Sequence, residues 1–259
     1  MYKLFAVLVI ITAILLVSCA REYTKSDGII VSPLPRQQTH RSTNTVQEQE
    51  VTNIDLITDD NVKLRGTFYK GRDDKPSIIL LHMLNRNRND WNNFADMSQS
   101  IGYNVITIDF RGHGESSLNW KDFSQVDFNN MILDVKSAKE YLIANSVSSE
   151  VVIMGASIGA NVALNYAALD KSIRSIILLS PGLDYRGVKT EDTIKKFINP
   201  VLIVASEDDF YASQSSRTLS SLSKNSTLKI YMGSAHGTGL FDKTDVNHVI
   251  VDWLEINVK

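Results

Sequence analysis

The chain has 259 residues, of which 43% are hydrophobic and 22% are charged, and its formal net charge at pH 7 is −2. This length is sufficient for one sizeable core, and a single α/β domain of this size is ordinary. The near-neutral charge argues against a nucleic-acid partner, which usually requires a basic surface. A single cysteine, Cys19, excludes an internal disulfide and a metal site built from several thiolates.

The N-terminal segment has the pattern of a secretory signal. Lys3 supplies one positive charge, and an apolar run follows over residues 4–17, which is short for a membrane span. Leu16-Val17-Ser18-Cys19 resembles the lipobox of bacterial lipoproteins, in which the cysteine is lipidated and becomes the mature N-terminus. We therefore expect a signal peptide over residues 1–18 and a lipid anchor on Cys19. An ordinary cleaved signal or an uncleaved anchor is the alternative, and Ala20 favours the outer membrane of a two-membrane bacterium.

Residues 19–49 are predicted to form the lipidated N-terminus and a flexible tether. From Arg21 onward this stretch is polar, rich in Ser, Thr, Gln and Arg, and has no hydrophobic period. Such a segment cannot bury enough apolar surface to order itself. The folded domain is therefore expected over residues 50–259.

Within that domain, apolar β-branched runs alternate with helical patterns. The predicted strands are residues 54–58, 64–69, 78–82, 105–110, 151–154, 173–180, 201–205 and 228–232. The predicted helices are residues 91–101, 127–145, 158–169, 213–222 and 242–257. Two early strands followed by alternating units indicate an α/β fold with a mostly parallel, doubly wound sheet of about eight strands, flanked by helices.

A serine stands between two glycines where the fifth predicted strand meets a helix, in the run Gly155-Ala156-Ser157-Ile158-Gly159. This is the pattern of a nucleophile elbow, a strained turn that exposes the serine hydroxyl at the edge of the sheet. The small residues on either side let the strand and the helix cross closely. Ser157 is therefore the candidate nucleophile.

Two more motifs accompany the elbow. Asp109-Phe110-Arg111-Gly112-His113-Gly114-Glu115-Ser116 matches the pattern D-x-R-G-x-G-x-S, and Leu80-Leu81-His82 ends the third predicted strand. With the elbow and a late histidine loop, these motifs resemble the α/β-hydrolase superfamily over residues 50–259, nearest its dienelactone-hydrolase-like and esterase-like members. The resemblance implies the α/β-hydrolase fold and ester hydrolysis. The sequence has no Gly-rich phosphate loop and no metal-ligand spacing such as H-E-x-x-H, so no cofactor or metal is implied.

The order of a catalytic triad in this fold, serine, acid, histidine, selects its other candidate members. Of the five histidines, only His236 follows Ser157 in a loop, so His236 is the expected base. The acid is expected after the strand at residues 201–205. One alignment of that strand end selects Asp209, which we prefer, and the other selects Asp208; Asp184 is a more distant alternative.

The resemblance also implies an oxyanion hole of two backbone N–H groups. Ile158 is expected to supply one, and Leu84 the other, with Met83 as the second choice. The run His82-Met83-Leu84 departs from the frequent His-Gly-x of the family, and His82 is expected to be structural.

Two loops border the predicted site. Arg86 or Arg88 could bind a substrate carboxylate through the planar guanidinium fork, although a solvated polar loop is the simpler interpretation. Residues 181–200 leave room only for a minimal cap with one short helix near residues 192–198. This favours an open site for small substrates.

The sequence thus predicts a lipid-anchored serine hydrolase of the bacterial envelope, acting on a small ester-type substrate through an acyl-enzyme. A thioesterase or serine peptidase of the same fold is the nearest alternative. A non-catalytic surface binding protein on a hydrolase scaffold is another.

Overall fold

The structure, a computed structural model, describes residues 50–145 and 150–258. The predicted signal peptide, Cys19 and the tether lie outside these residues. Within the described ranges, every helix lacks the length and apolar character needed to cross a membrane.

Eight strands form one sheet: β1 (Val51–Ile57), β2 (Lys63–Tyr69), β3 (Ser77–Leu81), β4 (Asn104–Ile108), β5 (Val151–Ala156), β6 (Ile173–Leu179), β9 (Val201–Ser206) and β10 (Ser226–Tyr231). Their order across the sheet is β1-β2-β4-β3-β5-β6-β9-β10. The pairs β1–β2 and β2–β4 are antiparallel, whereas all other neighbours are parallel. The predicted mostly parallel sheet with an antiparallel start is confirmed.

Helices cover both faces of this sheet. They are α1 (Asn92–Ser100), α2 (Gln125–Asn129), α3 (Met131–Asn145), α4 (Ile158–Leu169), α5 (Glu191–Ile194), α6 (Phe210–Leu222), α7 (Leu240–Lys243) and α8 (Val246–Asn257). The core on one face includes residues of α3, α4 and α6, and the core on the other includes residues of α1 and α8. Successive strand residues alternate between the two cores, so Ile79 and Leu81 lie in one and Ile78 and Leu80 in the other. This double burial explains why the central strands are hydrophobic at consecutive positions.

Two of the predicted helices are interrupted. The helix predicted over residues 127–145 is divided at Asn130, and its first part begins earlier because Ser124 and Asp127 form a capping box. The helix predicted over residues 242–257 is divided at Thr244, which has an extended backbone. Its hydroxyl donates to the Leu240 carbonyl and accepts from the Val246 N–H, so it ends α7 and begins α8.

The cap contains a hairpin that the sequence analysis missed. Two short antiparallel strands, β7 (Asp184–Tyr185) and β8 (Val188–Lys189), precede the four-residue α5. The turn between them has positive φ angles at Arg186 (57°) and Gly187 (85°). A two-residue turn of this kind joins antiparallel strands closely. With only this hairpin and α5, the cap is small, as predicted.

The turn after β4 is held by a buried carboxylate. Asp109 is fully buried and accepts hydrogen bonds from the N–H groups of Arg88 (2.7 Å) and Glu115 (2.9 Å). The Arg88 guanidinium forms an ion pair with Asp109. At Gly114, where φ is +52°, a Cβ would stand 2.2 Å from an Asp109 carboxylate oxygen. The D-x-R-G-x-G-x-S motif therefore stabilises this turn.

Candidate active site

Ser157 lies at the sharp turn between β5 and α4. Its φ of 55° and ψ of −122° fall in a region that non-glycine residues rarely adopt, so the backbone is strained there. The sheet holds this strained backbone in place, because the Ser157 N–H donates to the Leu179 carbonyl at 2.8 Å. The residue is 7% exposed. This is the geometry of a nucleophile elbow.

The glycines around Ser157 are required by close backbone contacts. A Cβ on Gly155 would stand 2.2 Å from the Gly159 carbonyl oxygen, and a Cβ on Gly159 would stand 2.5 Å from the Leu81 carbonyl oxygen. Contacts this short cannot be accommodated by side-chain movement, because both neighbouring atoms belong to the backbone. The start of α4 therefore packs directly on the end of β3.

Asp209 and His236 form a hydrogen-bonded pair. The distance between Asp209 Oδ2 and His236 Nδ1 is 2.6 Å. Asp208 is exposed, and its N–H binds the Gly233 carbonyl instead. The Asp184 carboxylate accepts from the Gly187 N–H. Of the three candidate acids, only Asp209 is in contact with the candidate base.

The loop that carries His236 packs against the elbow. Gly237 follows His236, and its N–H donates to Ser180 Oγ at 2.9 Å. A Cβ on Gly237 would lie 3.2 Å from the Cβ of Ala156, the residue before Ser157. Within the described residues no hydrogen bond joins the Ser157 hydroxyl to the His236 ring. Such contacts are often long in unliganded enzymes and tighten when substrate binds.

Tyr185, on the cap hairpin, is a neighbour of the candidate nucleophile that the sequence analysis missed. Its hydroxyl contacts the Ser157 hydroxyl and donates to the Ser180 carbonyl at 3.3 Å. Its ring lies edge-on to those of Tyr211 and His236, with centroid distances of 5.5 and 6.4 Å. Burial, and next the nearby Asp209 charge, raise the pKa of Tyr185, so this hydroxyl remains protonated. A short hairpin in a cap gives no period that would have pointed to it.

The candidate oxyanion loop is oriented by His82. This fully buried ring accepts a hydrogen bond from the Phe110 N–H at Nε2 (3.0 Å), so the proton resides on Nδ1, which donates to the Met83 carbonyl at 2.6 Å. Burial, and secondly the nearby His113, lower the pKa of His82 to about 3. The neutral ring therefore fixes the peptide that joins Met83 to Leu84. Because N–H and C=O point in opposite directions across a trans peptide, the Leu84 N–H points away from His82.

The candidate oxyanion donors are free of competing partners. Among the described residues, neither the Ile158 N–H nor the Leu84 N–H is hydrogen-bonded to another group. The Met83 N–H is likewise free, so Met83 stays as the second candidate.

Neither of the two arginines after β3 has a guanidinium free to bind a substrate carboxylate. Arg88 is buried and forms ion pairs with Asp109 and Glu115, so it is neither solvated nor available to a substrate. Arg86 directs Nε and Nη2 to the Asp90 carboxylate, at 2.8 and 2.6 Å. Its fork is therefore already occupied.

A cavity of about 460 Å³ adjoins His236. Met83, Arg86, Phe94 and Asn247 are among the side chains that line it. No cluster of side chains in the described part of the chain has the composition of a metal site.

Comparisons with known sequences agree with this architecture. A family model described as serine aminopeptidase, S33, matches residues 72–192. The thiohydrolase AneE of Aspergillus aculeatus is 28% identical over 140 residues, which cover 52% of this chain and 43% of the fungal protein. The chain thus spans less than half of the length of this curated relative.

Solved structures are similar over most of the chain. The esterase Pf2001 of Pyrococcus furiosus is 19% identical with a TM-score of 0.70, covering 82% of this chain and 92% of that one. Est1E of Butyrivibrio proteoclasticus, solved with ferulic acid bound, is 18% identical with a TM-score of 0.66, covering 78% and 98%. The fold is therefore the α/β-hydrolase fold. This is the fold that the sequence motifs predicted.

Proposed function

We propose that the protein is a serine hydrolase that cleaves carboxylic esters through an acyl-enzyme. Ser157 attacks the ester carbonyl while His236 takes the hydroxyl proton and then gives it to the leaving alcohol. Water then attacks the acyl-enzyme with His236 as the base, which releases the acid and restores Ser157. Asp209 orients the imidazole and stabilises its protonated form, while the Ile158 and Leu84 N–H groups stabilise the oxyanion.

The observation that carries this proposal is the contact between Asp209 and His236, at 2.6 Å, in a loop that packs against the elbow. The carboxylate accepts the proton of Nδ1, so the other ring nitrogen is free to act as the base. Strained backbone at Ser157 supports the same assignment, since such strain is concentrated at functional sites.

The solved structures make an ester the first class of substrate to assay. The described cap is small, since it consists of one two-stranded hairpin and one turn of helix. Of the structural neighbours named above, Pf2001 is an esterase, and Est1E binds the carboxylic acid ferulic acid. The thiohydrolase among the relatives keeps thioester cleavage as the second activity to assay.

The proposal is tested by hydrolysis of p-nitrophenyl acetate by the wild type and by Ser157→Ala. We expect kcat/KM to fall by at least about 10³-fold, because the nucleophile acts as one unit with its base. Ser175→Ala is the matched control, since Ser175 is a buried serine whose hydroxyl has no partner among the described residues. Near-wild-type turnover by Ser157→Ala would refute the assignment, and inert but folded wild type would favour a binding role.

We further propose that Cys19 is lipidated and anchors the protein to the bacterial envelope. The support is the sequence alone: a short apolar run and the four-residue lipobox-like motif that ends in Cys19. A diacylglyceryl group gives two chains, which is what stable anchoring requires. Cys19→Ser should move the protein from the membrane to the soluble fraction, and unchanged membrane fractionation would contradict the anchor.

A further inference from the structure

The cavity beside His236 has a polar wall that the proposed triad does not use. Three carboxamides line it: Asn89 before α1, Asn93 in the first turn of α1, and Asn247 in the first turn of α8. Among the described residues, none of these three side-chain amides has a hydrogen bond to a protein group. The Asn247 Oδ1 atom is also shielded from solvent, so it is a buried acceptor without a partner.

The remaining wall is aromatic and nearly charge-balanced. Phe94 and Phe241 stack with a centroid distance of 5.3 Å, and both border the cavity. Arg86 is neutralised by its two hydrogen bonds to Asp90, and Asp242 is exposed to solvent. No unpaired cation faces the cavity from the described residues. An anionic ligand would therefore gain no ion pair here.

The position of the cavity beside His236 indicates which part of the substrate it would hold. His236 must deliver a proton to the leaving alcohol, so the alcohol oxygen lies next to this ring. The cavity begins at His236 and at Met83, which is next to the candidate oxyanion donor Leu84. A leaving group bound beside His236 would extend into this space. The cavity volume of about 460 Å³ lies within the usual range of small-molecule sites.

We propose that this cavity binds the alcohol portion of the substrate, and that this portion is a neutral, hydroxyl-rich group of the size of a sugar ring. A carboxamide both donates and accepts hydrogen bonds and carries no charge, which matches the hydroxyl groups of a sugar. The apolar face of such a ring packs on Phe241. The inference rests on the proposed ester hydrolysis and specifies its substrate class.

The test compares two acetates of the same shape, methyl 6-O-acetylglucopyranoside and cyclohexylmethyl acetate. Both are acetates of a primary alcohol on a six-membered ring, and only the first carries ring hydroxyls. We expect wild-type kcat/KM to favour the sugar ester by about 10-fold or more, since several neutral hydrogen bonds contribute. Asn247→Leu should lower that ratio by about 3- to 10-fold, because it removes one amide at nearly constant volume.

A second cavity variant and a control variant complete the comparison. Asn93→Leu, on the exposed surface of α1, should lower the same ratio even if Asn247→Leu folds poorly, as judged by its melting temperature. Asn165→Leu is the control, because Asn165 of α4 borders a different depression, and its Oδ1 also has no partner among the described residues. It should leave the ratio unchanged.

The outcomes separate this inference from the proposed function. Equal kcat/KM for the two acetates, or a ratio that Asn247→Leu and Asn93→Leu leave unchanged, would overturn the sugar site while ester hydrolysis stands. If neither these acetates nor p-nitrophenyl acetate is hydrolysed, the proposed function fails. Binding of methyl glucopyranoside, followed by NMR titration, then decides the site: binding weakened by Asn247→Leu supports it, and no binding overturns it.

Discussion

The Gly237 N–H donates a hydrogen bond to Ser180 Oγ at 2.9 Å, across 57 residues of the chain. Ser180 directly follows β6, is fully buried, and has a positive φ of 49°. Its carbonyl also accepts the Tyr185 hydroxyl. One strained serine therefore holds both the loop of the candidate base and the tyrosine over the candidate nucleophile.

Removal of the Ser180 hydroxyl should impair catalysis through the position of His236. In Ser180→Ala the buried Gly237 N–H loses its acceptor, which costs about 1–3 kcal/mol. We expect kcat for p-nitrophenyl acetate to fall about 10-fold, because the loop relaxes away from the elbow. Ser216→Ala, at a buried serine of α6 whose hydroxyl is unpartnered among the described residues, should leave kcat unchanged. Equal kcat in both variants would contradict the bracing role.

The Tyr185 hydroxyl is expected to position Ser157. Tyr185→Phe keeps the ring contacts with Tyr211 and His236 but removes the contact with the serine hydroxyl. We expect a fall in kcat of about 3- to 10-fold with KM little changed, because the Ser157 hydroxyl loses a polar neighbour. Tyr141→Phe is the control, on a ring that packs against Phe68. A change confined to KM would indicate a role in substrate binding instead.

His82 should make stability depend on pH with a defined sign. Its pKa is about 3 in the folded protein because of burial, against an ordinary value of 6.5. Below about pH 6.5 the unfolded chain binds a proton at this site that the folded protein refuses, so the free energy of unfolding falls as the pH falls.

His82→Gln should remove this dependence. Between about pH 6 and 4, the slope of unfolding free energy against pH should be smaller in the variant by up to about 1.4 kcal/mol per pH unit. Urea unfolding at several pH values measures both slopes. Equal slopes for the wild type and His82→Gln would contradict this prediction, because they would mean that the His82 ring is protonated in the folded protein as it is in the unfolded chain.

The close contact of α4 with β3 predicts a strong effect at Gly159. In Gly159→Ala the new Cβ would stand 2.5 Å from the Leu81 carbonyl oxygen, so the backbone must shift. We expect a loss of at least about 2 kcal/mol in unfolding free energy, as for other overpacked sites. Gly239→Ala is the matched control, because its Cβ would meet no atom within 4 Å. Similar melting temperatures for both variants would contradict the packing described.

Local patterns predicted the sheet because burial on both faces makes consecutive strand residues hydrophobic, as in Ile78–Leu81. The breaks at Asn130 and Thr244 were not predicted, because the apolar period continues across them and only side-chain hydrogen bonds interrupt the helices.

Chain order and local motifs were sufficient to predict part of the candidate site. They pointed to Ser157, His236 and a pair of neighbouring aspartates, of which the structure brings Asp209 to the histidine. Tyr185 and the partners of Arg88 depend on contacts between segments distant in the chain. No local period encodes such contacts, so the burial of Arg88 could not be anticipated.

The central claim, that Ser157 is a nucleophile activated by His236 and Asp209, is tested most directly by a fluorophosphonate probe followed by peptide mass spectrometry. We expect a single adduct on Ser157, formed at least about 10-fold more slowly in Asp209→Asn and at an unchanged rate in Asp208→Asn. An adduct on another serine, or no adduct on folded protein, would contradict it.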